Sequence, residues 1–146
     1  MASPSTSTET ADRLGRKRAR VSFVLAVLFL GQQAAYFDDG PLRPAEHLRI
    51  GAWVVMAAVL LIMLVTGGAW LRGREVRALL NDESTRANRA EALSAGFVAG
   101  TGSAIVLYPL VGMLGLGPLE VLHIVVSVAL ATALVRFGML ERRAFG

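Results

Sequence analysis

Ile50–Leu71 runs for 22 residues without a single charged side chain. A helix rising about 1.5 Å per residue crosses the hydrocarbon layer of a bilayer in roughly 20 residues, so this run is long enough to span. Three further apolar stretches accompany it: Val21–Phe37, about Ala92–Leu114 and about Leu119–Leu140. None alternates polar with apolar residues in the short repeats of a membrane β-barrel. Composition agrees: the chain is 54% hydrophobic and 18% charged, where soluble domains average about 25% charged. The expected fold is an all-α integral membrane protein, with four transmembrane helices arranged as two helical hairpins.

The basic residues orient these spans. Of the 15 Lys and Arg residues, five (Arg13, Arg16, Lys17, Arg18, Arg20) precede the first span. Five more (Arg72, Arg74, Arg77, Arg86, Arg89) separate the second from the third. Arg136, Arg142 and Arg143 mark the end of the fourth, leaving only Arg43 and Arg49 for the other side. Basic residues close to span ends stay in the cytoplasm, so both termini and the connection after the second span are expected there. A secretory signal peptide in residues 1–35 is the competing reading. It is disfavoured by the long basic region before the apolar run and by the lack of a small-x-small cleavage site. Residues 1–20 read as a disordered basic cytoplasmic tail and 21–143 as the membrane domain, with a helical hairpin extension at 72–91. The preference for Arg over Lys, beside many Ala and Gly, suggests a GC-rich bacterial genome and hence a bacterial inner membrane.

Chemistry-bearing groups are few. Without cysteine, disulfide exchange and Cys-based metal sites are excluded. No carboxylate sits in the first span, where proton-coupled small multidrug exporters need one. A metal or haem site is conceivable on the outer face through His47, Glu120 and His123. Glu120 and His123 stand three apart, but a di-iron bundle needs two such pairs; His47 and His123 are the pair that would hold a haem axially. The favoured alternative is that Glu120 complements a helix amino terminus and His123 sits at the interface. No catalytic residue, cofactor or nucleic-acid partner is expected.

Two features speak of packing and docking. Ala92, Gly96, Gly100 and Ala104 fall four apart, a small-residue stripe that lets a second helix approach closely. It favours packing within the chain over a homodimer. In "LLNDESTRANRAEAL", Asp82 suits an N-cap and Glu83 the first helical turn, while Arg86 stands four and three residues on, as paired charges do. Asp82, Glu83, Arg86 and Arg89 are therefore candidate docking residues.

The longer segment "RALLNDESTRANRAEALSAGF" resembles the connector of small uncharacterised four-span bacterial inner-membrane proteins. There, Asn-Asp-Glu, then Thr-Arg, then another basic residue lie between two membrane helices. Asn81, Asp82, Glu83, Thr85, Arg86 and Arg89 match, over about 20 of the 146 residues. The resemblance implies architecture and location, with no activity attached. The expected function is an accessory or interaction subunit, docking through the arginine-rich hairpin to anionic lipid head groups, a membrane-protein partner or its own copies. A small oligomeric channel or transporter, and a haem- or metal-binding redox subunit, are the alternatives.

Overall fold

The structure, a computed structural model, describes Lys17 and residues 19–33, 46–66 and 83–144. The expected tail up to residue 16, and residues 67–82 with Asp82 and most of the expected hairpin extension, lie outside the described residues. Every described element is helical: α1 (Ala19–Gln33), α2 (Glu46–Thr66), α3 (Glu83–Leu114) and α4 (Pro118–Ala144). Helices α2, α3 and α4 are long and apolar enough to cross a bilayer, which makes this a helical membrane protein. The expected first span, Val21–Phe37, is represented by the shorter α1, and residues 34–37 fall outside the described set. Glu83–Leu114 is one unbroken helix, so the expected span at 92–114 and the polar segment before it belong to a single element.

The turn between α3 and α4 follows from "GLGPLE". Gly115 adopts φ +66°, a left-handed conformation that glycine reaches without steric cost. Leu116 N then donates to Val111 O at 3.2 Å, the six-to-one bond that closes a helix behind such a glycine. Pro118 occupies the first position of α4, where its missing N–H costs nothing and its fixed φ is already helical. The Glu120 carboxylate reaches back to accept from Gly117 N at 2.7 Å, and Val121 N donates to Gly117 O at 3.1 Å. One helix is closed and the next opened within three residues.

The centre of the molecule is α4. His123, Ser127, Leu130, Leu134, Phe137 and Glu141 are all buried, and they recur at alternating steps of four and three. That spacing keeps one stripe facing neighbours along the whole helix. Helices α3 and α1 approach α4 at small residues. A Cβ on Gly96 would lie 2.6 Å from Ala129 O and 2.8 Å from Ala133 Cβ, and one on Gly100 would lie 2.9 Å from Ala129 Cβ. Ala92, Gly96 and Gly100 are buried against α4, whereas Ala104 is exposed and lines a groove with Ala57, Ala58 and Leu61 of α2. On the other side α1 lies close to Gly138, where a Cβ would stand 3.1 Å from the Phe23 ring.

Close approach matters here because lipid removes the incentive that water gives to apolar association. Van der Waals contact and interhelical hydrogen bonds take its place. The core consists of Ala26 and Phe29 from α1, Ala57, Leu60 and Leu64 from α2, and Ala92 from α3, closed over Leu130–Phe137 of α4. Large side chains such as Val27, Leu28, Val55, Phe97 and Ile105 point outward. In a bilayer these meet acyl chains.

Candidate functional site

Polar groups on α4 gather at its two ends. Near the turn end, His123 is 4% exposed and its ring lies 4.5 Å from that of Trp53 on α2, tilted by 31°. Arg49, one turn earlier on α2, is close enough for its charge to act on His123. One turn further along α4, Ser127 Oγ donates to Gln33 Oε1 at 3.1 Å, and Gln33 Nε2 donates to Phe29 O at 3.0 Å. Both side-chain contacts join α4 to another helix, so this end is fixed by one ring stack and one hydrogen-bonded pair.

The opposite end, where α4 finishes and α3 begins, is more polar. Glu141 is wholly buried, and its Oε1 accepts from Asn88 Nδ2 at 3.2 Å. Arg89, the next residue on α3, stands within electrostatic reach of Glu141 and donates from Nη1 to Val65 O at 3.0 Å, in the last described turn of α2. A guanidinium at the carboxyl-terminal part of a helix meets the negative end of its dipole. Arg136 of α4 pairs with Glu91 of α3 at half-exposed positions, where an ion pair contributes about 0–1 kcal/mol. Asn88, Arg89, Glu141 and the Val65 carbonyl therefore draw three helices together around one buried carboxylate.

The predicted residues separate accordingly. Ala92, Gly96 and Gly100 face α4. Glu83 and Arg86 are exposed on the first turns of α3, whereas Arg89 is half-buried and turned toward α2. Glu120 caps α4 and His123 packs against Trp53. The side chain of His47 lies outside the described residues. Among the described residues no group of three or more His, Asp or Glu stands close enough to hold a metal ion. Thr66 and Ser103 donate back to carbonyls of their own helices, at 2.6 and 2.8 Å, which satisfies a hydroxyl in lipid without a partner helix.

Sequence reasoning missed Glu141, Asn88 and Trp53. By sequence alone Glu141 groups with Arg142 and Arg143 as a surface charge. Its position on the four-three stripe of His123, Ser127, Leu130, Leu134 and Phe137 is the signal that places it inside.

Chemically, the two clusters offer hydrogen-bonded and ionic ties between helices, and no paired nucleophile and base. No protein-family model matches the chain, and neither a curated protein nor a solved structure matches it.

Proposed function

We propose that the protein is a non-enzymatic accessory subunit of a bacterial inner membrane, docking on a partner through the cytoplasmic start of α3. In this reading the chain spans four times as two helical hairpins forming a four-helix bundle, with both termini in the cytoplasm. The observation that carries it is the division of the first turns of α3. Asn88 and Arg89 turn inward to Glu141 and Val65, while Glu83 and Arg86 are exposed. A connector that served only to join spans needs no second, charged face held on a rigid helix. The distribution of basic residues supports the orientation, because the retained side of a span is the one rich in Arg and Lys.

The chain lacks cysteine, so single cysteines report topology directly. Cysteines at 86 and 143 should resist a membrane-impermeant maleimide in intact cells, and one at 116 should react. A photo-crosslinking residue at 83 should capture one membrane protein, and Arg86→Glu should abolish that adduct. Labelling of 86 from outside would overturn the orientation, and an adduct indifferent to Arg86→Glu would overturn the docking surface.

A further inference from the structure

The end of α4 that carries Arg142 and Arg143 holds a second surface, on the side away from Glu141. Phe23 of α1 with Met139, Arg142 and Arg143 of α4 line an open hollow of about 700 Å³. Met139 also borders a groove that climbs between α1 and α3, lined by Leu30, Ala95, Ala131, Thr132 and Val135, with Arg136 at its edge. The two hollows share Met139 in their walls, so a cationic mouth lies beside an apolar groove.

Its dimensions suit one leaflet. From Arg143 to Ala131 the track follows α4 for about 18 Å at 1.5 Å per residue, a little over half of the roughly 30 Å hydrocarbon layer. Its charge is one-sided as well. Lys17 and Arg20 are exposed at the start of α1, and Ala19 lies against Gly138, so both add to the positive charge at this mouth. The acids nearby are engaged elsewhere, Glu141 with Asn88 and Glu91 with Arg136. Guanidinium groups bind phosphate oxygens through paired N–H donors.

We propose that this track is a binding site for one anionic phospholipid, its phosphate held by Arg142 and Arg143 and one acyl chain lying along the groove to Leu30 and Ala131. The inference goes beyond the docking reading above, and rests only on its orientation, with this end facing the cytoplasmic leaflet. It does not depend on docking at Glu83 and Arg86. The arginines also complement the dipole at the end of α4, but that role requires neither the pocket nor the groove.

The test uses the full chain, purified in a mild detergent and titrated with phosphatidylglycerol and phosphatidylcholine of identical chains, with bound lipid read by native mass spectrometry. One phosphatidylglycerol should be retained in preference to phosphatidylcholine. R142Q/R143Q should weaken its retention about thirtyfold, the weight of two basic groups beside an anionic head group. Thr132→Leu, which fills the groove and leaves the arginines alone, should weaken both lipids. Glycerophosphoglycerol and inorganic phosphate, which have no chains, should fail to displace the bound lipid. Equal retention of the two lipids, an unchanged preference in R142Q/R143Q, or displacement by inorganic phosphate would each overturn the proposal. Loss of the crosslink at residue 83 with lipid retention intact marks failure of the docking reading alone. An external cysteine at 143 marks failure of the orientation.

Discussion

Asn88 and Glu141 meet across 3.2 Å, joining α3 to α4 at residues 53 positions apart in the chain. The contact is buried on the carboxylate side, and Arg89 beside it is bonded to the last described turn of α2. Removing the acid strands the donors arranged around it, and an unsatisfied buried partner costs more than an average hydrogen bond is worth. Glu141→Leu is expected to destabilise the fold by about 2 kcal/mol. Glu141→Gln, which preserves shape and an acceptor oxygen, should lose less. Unfolding in mixed micelles with increasing dodecyl sulfate measures both, and a Leu variant as stable as the parent refutes the role of this cluster.

Glycines on α3 should respond to substitution according to what faces them. A methyl group on Gly96 meets Ala129 O at 2.6 Å and Ala133 Cβ at 2.8 Å, whereas one on Gly102 meets nothing within 4 Å. Gly96→Ala should cost about 1–3 kcal/mol through forced separation of α3 from α4. Gly102→Ala should be neutral or stabilising by up to about 1 kcal/mol, since alanine favours the helix more than glycine. The same unfolding assay compares the pair, and equal effects would contradict the helix contact described.

The bond from Ser127 to Gln33 invites a double-mutant cycle. Ser127→Ala and Gln33→Leu, singly and together, should reveal a coupling of about 0.6 kcal/mol, the average for such bonds between membrane helices. Strict additivity would show that the two side chains do not act on one another.

Trp53 gives an optical handle on the other polar contact. The chain has two tryptophans, so the experiment begins from Trp70→Phe. In that background His123→Ala should shift the emission of Trp53 and cost about 1–2 kcal/mol through the lost stack and the space left behind. His123→Phe should retain most of the stability. Identical spectra in all three proteins would place the histidine away from the indole.

Much of this arrangement is readable before any coordinates. Apolar length gives four spans, of which three are helices long enough to cross a bilayer among the described residues, and "GLGPLE" contains a helix stop and a helix start in consecutive residues. The stripe of Ala92, Gly96 and Gly100 signals a close neighbour, but which helix it meets depends on Ala129 and Ala133, whose small size draws no notice amid so many alanines. Glu141 shows the opposite difficulty. Charge near a span end implies solvent, and here that local expectation yields to the period of α4, which carries the residue inward to Asn88. Trp53 and His123 lie on separate helices, and no spacing along the chain announces their contact. Polar residues were legible as types and illegible as pairs.

Because α4 supplies the stripe against which the other helices pack, order of synthesis acquires a meaning. The first three helices leave the ribosome before the surface that organises them exists. Until α4 has entered the membrane, Gly96 and Gly100 lack Ala129 and Ala133, the residues they approach most closely. The close contacts of Gly96 and Gly100 therefore form only after the last helix has been made.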